Sequence, residues 1–170
     1  MLAVAKAIAR FERFRCRFDG ERLVPAGTDA IGVAVDQEDE LYVMPIASPA
    51  TKTVEQISGE IRRCVEQLRS GDPEARRIRP ALMTISNLGV SNVESFVPII
   101  NPPEAAILGI GRALPTPVAR EGEIAVEPRA ALTLSVDHRV ASGRCAGEFL
   151  GEIIGELETM SLMNFDTQDR

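Results

Sequence analysis

One stretch of the sequence decides the fold: residues 132–157, LTLSVDHRVASGRCAGEFLGEIIGEL. Leu132, Leu134 and Val136 alternate with polar residues, as in a strand with one buried face. From Gly143 onward the apolar residues fall on one helical stripe, which comprises Ala146, Phe149, Leu150, Ile153, Ile154 and Leu157. The stretch therefore predicts a strand, a turn and a helix over residues 143–157.

The single histidine of the chain, His138, lies between this strand and this helix. Continued alternation puts it on the face of Leu134 and Val136, so its side chain is expected to point inward. A lone inward histidine is usually a core residue. A histidine at a strand end before a helix can also act on a substrate as a base, and spacing alone leaves both interpretations open.

Four glycines recur every four residues beside the apolar stripe, at positions 143, 147, 151 and 155. Each lowers helix propensity by roughly 1 kcal/mol relative to alanine. Their spacing predicts that another backbone approaches the helix closely.

The rest of the chain alternates helices and strands. Residues 2–11 have helical periodicity, residues 30–36 and 41–46 predict a hairpin, and Thr53 starts a capping box for a helix over 54–68 that stops at Gly71. After a polar connector, strands are predicted over 81–90, 94–100, 105–114, 123–128 and 129–140, with a loop at Pro115 and Pro117. This order predicts a mixed α/β or α+β sheet covered by helices.

Composition limits the class of protein. The 170 residues amount to one domain, 45% of them are hydrophobic, and the net charge of −6 argues against nucleic-acid and anionic-membrane partners. Cys16, Cys64 and Cys145 are widely spaced without a CxxC pair, so neither a disulfide framework nor a metal site is predicted, and a cytoplasmic location is expected. The N-terminus has the pattern of neither a signal peptide nor a membrane span.

Three motifs carry a resemblance to a known family. Residues 137–143, DHRVASG, followed by Phe149-Leu150, resemble the C-terminal active-site signature of the dihydrolipoyl acyltransferases, the core components of 2-oxo-acid dehydrogenase complexes. TISNLG at 84–89 and IINPPEAAIL at 99–108 are similar to two further segments of that family, in the same order. The resemblance covers most of residues 1–160, so we expect a catalytic-type domain over 1–160 and a tail over 161–170.

The resemblance implies a chloramphenicol-acetyltransferase-like α/β fold, a two-layer mixed sheet covered by helices. The family's N-terminal helix and strand are expected to be missing ahead of Met1. It also implies a homotrimer or a larger assembly, with active sites at the subunit interfaces.

The implied function is acyl transfer between a dihydrolipoyl thiol and coenzyme A. By resemblance His138 is the general base, Ser86 donates a hydrogen bond to the oxyanion, and Ser142 occupies the position of a family aspartate four residues after the histidine. Coenzyme A is the acyl-carrier substrate, although the resemblance assigns no residue to binding it. Lys6 and Lys52 are the only lysines and neither suits lipoylation, so a lipoyl-bearing protein is expected to supply the dihydrolipoyl group from another chain.

Two alternatives remain at this point. Ser86 on its own is typical of a strand serine that bonds a neighbouring backbone group, and its catalytic role depends on its register with His138. Ser142 and the short N-terminus favour a second hypothesis, a non-catalytic trimer-forming assembly module. The presence of both His138 and Ser86 favours the enzyme.

Residues 101–103, Asn-Pro-Pro, predict a rigid turn.

Overall fold

The computed structural model describes residues 1–38, 40–77, 79–120 and 122–165. Its helices are α1 (Leu2–Arg10), α2 (Val54–Arg69) and α3 (Gly143–Phe165), with short 3₁₀ turns at Glu12–Arg15, Pro49–Thr51 and Gly89–Ser91. Its strands are β1 (Cys16–Phe18), β2 (Leu23–Pro25), β3 (Ile31–Gln37), β4 (Glu40–Ile46), β5 (Met83–Asn87), β6 (Ala106–Ile110), β7 (Leu114–Arg120), β8 (Glu123–Arg129) and β9 (Leu132–Val136).

A mixed five-stranded sheet forms the centre, in the order β4-β3-β5-β6-β9. Strands β3, β5 and β6 run parallel, while β4 and β9 run antiparallel to their neighbours. Two antiparallel ribbons, β1-β2 and β7-β8, lie outside this sheet. The alternation of helices and strands along the sequence predicted this mixed sheet correctly.

One face of the sheet packs against α1 and α3. Met83, Ile85 and Leu108 project from this face into a cluster with Val4 and Phe149. The Phe149 ring stacks on Phe14 with centroids 3.9 Å apart and meets Phe11 edge-on at 5.5 Å. Burying large aromatic and aliphatic side chains supplies most of the driving force for folding, so this helix-covered face holds the domain together.

The opposite face carries polar and small residues, among them Thr84, Ser86, Thr133 and Ser135. The segment over residues 94–100 crosses this face, and the Ser135 hydroxyl donates to the carbonyl oxygen of Pro98 at 2.7 Å. We call this face of the sheet the loop-covered face. The predicted strand over 94–100 is wrong, because this segment covers the sheet without pairing into it.

Helix α2 begins as predicted. The Thr53 side chain accepts from the backbone N–H of Gln56 at 3.3 Å, and the Gln56 side chain accepts from the backbone N–H of Thr53 at 2.8 Å, which completes the capping box. Gly71 follows with a φ of 77°, a left-handed conformation that glycine adopts at little cost.

Two other predictions need correction. Pro115 and Pro117 lie inside β7 and not in a loop; they are two residues apart in a two-stranded ribbon, so their missing N–H groups can both face away from β8. The glycine stripe of α3 meets no other backbone, because a Cβ atom built at Gly147, Gly151 or Gly155 has nothing within 4 Å among the described residues.

Helix α3 extends to Phe165, eight residues beyond the predicted end and five beyond the expected domain boundary at 160. Residues 166–170 of the expected tail lie outside the described part of the chain.

Candidate active site

His138 lies in an exposed turn, not in the core. Strand β9 ends at Val136, and Asp137 then forms a turn in which its side chain accepts from the backbone N–H of Arg139 at 2.9 Å. The Asp137 carbonyl also accepts from Val140 and Ala141. An aspartate that bonds the backbone two residues on ends a strand, so the alternation that predicted an inward His138 stops before it reaches that residue.

An ion pair braces this turn. The Arg139 guanidinium donates to both Asp137 carboxylate oxygens, at 2.7 and 2.9 Å, and lies over the Phe18 ring with its carbon 4.6 Å from the centroid. The hydrogen bonds from Arg139 hold the pKa of Asp137 below its usual value. A two-pronged guanidinium contact fixes the geometry of a carboxylate better than a lysine would, so the backbone on both sides of His138 is held.

Ser142 begins α3. Its hydroxyl oxygen accepts from the backbone N–H of Cys145 at 3.3 Å, and its carbonyl accepts from Ala146 at 2.9 Å. This is the N-cap role that serine and aspartate share. A Cβ built on Gly143 would lie 3.8 Å from His138 Cε1, so the imidazole stands beside the first residue of the helix.

Ser86 lies near the carboxyl end of β5, on the loop-covered face, and is half-buried. Its partner across the ladder is Gly109, where a Cβ would come within 3.0 Å of the Phe96 ring. The absence of a side chain at 109 lets the covering segment lie close to the sheet beside Ser86. Among the hydrogen bonds of the described residues, none engages the Ser86 hydroxyl.

Within one chain Ser86 and His138 lie at opposite ends of the sheet. Ser86 pairs with Gly109 and Gly109 with Thr133, whereas His138 follows the other end of β9. From Thr133 to Val136 is about 10 Å along the strand, and two interstrand spacings of about 4.8 Å also intervene. A base and an oxyanion donor must both lie within about 3 Å of the reacting groups, so the two side chains of one copy cannot serve one site.

Three further polar residues, to which the sequence assigned no chemistry, meet on the loop-covered face. The buried Thr84 hydroxyl donates to Glu104 at 2.7 Å and accepts from the Asn101 side chain at 3.4 Å. Burial raises the pKa of Glu104 to about 7, and the Thr84 hydrogen bond opposes that shift. The sequence feature that could have indicated this cluster is the acidic Glu104 directly before the apolar run AAIL. The expected turn at 101–103 is present, with the Glu104 N–H donating to the carbonyl of Asn101 at 2.9 Å.

Comparison with solved structures defines the class of fold. The chain resembles a chloramphenicol acetyltransferase with a TM-score of 0.50 at 16% identity, over 92% of this chain and 74% of the other. A probable dihydrolipoamide acetyltransferase from Listeria monocytogenes is closer, with a TM-score of 0.86, 30% identity, and coverage of 92% and 67%. The expected chloramphenicol-acetyltransferase-like fold is confirmed.

The family follows from the sequence. Residues 1–165 match the family model for the catalytic domain of the 2-oxoacid dehydrogenases acyltransferase, and the chain belongs to that family. The dihydrolipoyllysine-residue acetyltransferase component of the pyruvate dehydrogenase complex from Staphylococcus aureus (strain Mu50 / ATCC 700699) is 36% identical over 143 residues, or 83% of this chain. The chain spans about a third of the length of that relative, 33%.

Two more solved relatives bear on the site. One is the cubic core of the pyruvate dehydrogenase multienzyme complex, with a TM-score of 0.77, 34% identity, and coverage of 89% and 64%. The other is a dihydrolipoamide acetyltransferase from Azotobacter vinelandii, with a TM-score of 0.77, 33% identity, and coverage of 89% and 64%. That structure comes from an investigation of the role of a serine, a histidine and an asparagine in the enzyme's catalytic mechanism. The serine and histidine are 52 residues apart and the asparagine follows the histidine by 4.

Across the described ranges, no helix is both long and apolar enough to span a membrane. In the same part of the chain, no three histidine, cysteine, aspartate or glutamate side chains cluster in a way that could hold a metal ion.

Proposed function

We propose that this domain transfers an acyl group between a dihydrolipoyl thiol and coenzyme A, with His138 as general base and Ser86 as oxyanion donor. The observation that carries the proposal is a matched interval. Ser86 and His138 are 52 residues apart, as are the serine and histidine studied in the Azotobacter vinelandii enzyme. In this chain the two side chains lie on opposite ends of one sheet, one half-buried and the other exposed on a braced turn.

The chemistry requires a base because a thiol of pKa about 8.5 is mostly protonated at neutral pH. The His138 imidazole takes the coenzyme A thiol proton as the sulfur attacks the thioester carbonyl carbon of the acyl-dihydrolipoyl substrate. A carbon–sulfur bond forms, and the carbonyl oxygen becomes an oxyanion that the Ser86 hydroxyl stabilises. When this intermediate collapses, the bond to the dihydrolipoyl sulfur breaks and the imidazolium returns the proton to that sulfur.

A second copy of the chain completes the site in this account. Because Ser86 and His138 are far apart within one chain, the proposal pairs His138 of one copy with Ser86 of another. We therefore propose a homotrimer, or a larger assembly of trimers, with one site at each interface. The cubic core among the solved relatives supports an assembly of this kind. A lipoyl-bearing protein delivers the acyl group, and three free cysteines favour a reducing, cytoplasmic setting.

The alternative is a non-catalytic assembly module. Its support is Ser142, which lacks the charge of the expected aspartate. However, the Azotobacter vinelandii study places an uncharged asparagine four residues after the histidine, so an uncharged side chain at this position supports the module only weakly.

Thioester exchange tests the proposal. Purified protein is incubated with acetyl-coenzyme A and free dihydrolipoamide, and acetyl-dihydrolipoamide is measured together with the native mass. We expect exchange that Ser86→Ala lowers by roughly 10²–10³ in kcat. The neighbouring variant Asn87→Ala controls for a general disturbance of the strand end. A trimeric protein with no exchange would favour the assembly module, and a stable monomer or dimer alone would contradict the homotrimer.

A further inference from the structure

One concavity is lined by neither Ser86 nor His138. It has a volume of about 450 Å³ and opens between β4, residues 75–77 and 79–81 of the connector, and the turn over 101–104. Pockets for small molecules usually measure roughly 300–1,000 Å³, so a metabolite fits here. The edge strand β4 borders it with four consecutive residues, Leu41, Tyr42, Val43 and Met44.

The charge around this cavity has one dominant sign. Arg17 reaches it from β1, and Arg76, Arg77 and Arg79 reach it from the connector. Glu104 is the one acidic residue that lines it. Because burial raises the pKa of Glu104 to about 7, its negative charge is only partly present at neutral pH.

The arginines are not neutralised inside the cavity. Arg77 and Arg79 contact the exposed Glu74 at 3.8 and 3.3 Å, which are surface pairs of little energetic worth. Arg76 lies over the Tyr42 ring, 5.9 Å from its centroid. In the described part of the chain, the Arg17 Nε is the one buried side-chain nitrogen or oxygen without a hydrogen-bond partner. A buried donor without an acceptor costs about 1–3 kcal/mol, so an acceptor at this point is favoured.

We infer that this cavity binds a small organic anion, a carboxylate or phosphate on an apolar body. The anionic group accepts from Arg17 and is attracted by Arg76, while the apolar body lies against the residues of β4 that line the cavity, such as Met44. The buried end of the cavity, with Asn101 and Glu104, offers hydrogen bonds to a polar tip. The inference is independent of the proposed acyl transfer, because it uses neither Ser86 nor His138.

Calorimetric titration of the full chain at pH 7 tests the inference with three probes that share a six-carbon body: hexanoate, hexyl phosphate and hexanamide. We expect at least one anion to bind at least tenfold more tightly than the neutral amide. Tighter binding of hexanoate would identify a carboxylate ligand, and tighter binding of hexyl phosphate a phosphate ligand.

Variants connect the binding to the cavity. Arg17→Gln and Arg76→Ala are each expected to weaken the anion at least fivefold, whereas Arg62→Ala, an exposed arginine on α2, leaves it unchanged. Arg76 is exposed, so its variant is expected to fold even if Arg17→Gln does not. Equal affinity for hexanoate, hexyl phosphate and hexanamide would overturn the inference. So would no binding of either anion at millimolar concentration, or an affinity that Arg76→Ala leaves intact.

Discussion

The two faces of the central sheet differ in the residues they present and in what covers them. The helix-covered face presents Met83, Ile85 and Leu108 to α1 and α3 and is buried. The loop-covered face presents Thr84 and Ser86 from the same strand β5, under a segment that pairs with no strand. In the proposed mechanism, adjacent residues of one strand therefore divide between stability and chemistry. Substitutions on the two faces should affect different measurements.

The largest expected effect is on catalysis. His138→Ala should lower thioester exchange by roughly 10²–10⁴-fold, because a positioned general base contributes about that much. His138 is exposed and outside the core, so the free energy of unfolding should change by less than about 0.5 kcal/mol. Exchange kinetics and urea denaturation of the same sample measure both quantities. Native turnover in this variant would remove His138 as the base.

Phe149→Ala should act on stability, and its main effect should be a lower free energy of unfolding. This fully buried ring stacks on Phe14, and its loss should cost about 3–5 kcal/mol of unfolding free energy. Ile154→Ala on the same helix is the matched control, because Ile154 is 38% exposed and should cost much less. Urea denaturation of both variants decides the point. Equal losses at the two positions would contradict the core described for the helix-covered face.

Glu104 gives the loop-covered face a pH dependence. Its pKa rises from 4.5 to about 7 on folding, so the folded state holds a proton that the unfolded state releases. Stability should therefore fall by about 2–3 kcal/mol as the pH rises from about 4.5 to about 7, and then level off. Glu104→Gln should remove most of this fall. Denaturation at pH 5 and pH 8 measures it, with exposed Glu66→Gln as control. If Glu104→Gln loses as much stability between pH 5 and pH 8 as the native protein does, the titrating group is a different residue.

Ser142→Asp should have the smallest effect. Both residues cap helices well, and a negative charge at the first turn of α3 should add about 0.3–1 kcal/mol of stability. The charge can also pair with an arginine near the His138 turn, so we expect a measurable rise in thioester exchange. Ser142→Ala controls for the cap itself and should cost about 1 kcal/mol. Added stability with no exchange in either the native or the Asp protein would favour the assembly module.

Much of this arrangement could be predicted from sequence, because local patterns report local structure. The capping box at Thr53 located α2, the apolar stripe from Gly143 located α3, and three ordered motifs indicated the family. The end of β9 could not be predicted, since it depends on Asp137 bonding its own turn. Likewise, the strand-like pattern of apolar residues over 94–100 does not reveal that this segment crosses the sheet without pairing into it.

The motifs DHR and TISN lead to His138 and Ser86 as candidate site residues, and their catalytic roles stay predictions. The geometry that relates the two residues could not be predicted. Their separation follows from β9 running antiparallel to β6 while β5 runs parallel to it, a long-range property that spacing does not encode. The cavity at Glu104 was missed for a similar reason, because its charges come from β1, a connector and a turn that are distant in sequence.

Co-expression of two inactive chains tests the central claim, that each site takes Ser86 from one copy and His138 from another. A Ser86→Ala chain and a His138→Ala chain carry different affinity tags, and assemblies that hold both are purified and assayed for thioester exchange. A mixed homotrimer that holds both tags has both native side chains at one of its three sites, so about a third of native activity should return, or about a quarter in a large assembly mixed at random. Mixed assemblies as inactive as the two parent variants would contradict the shared site.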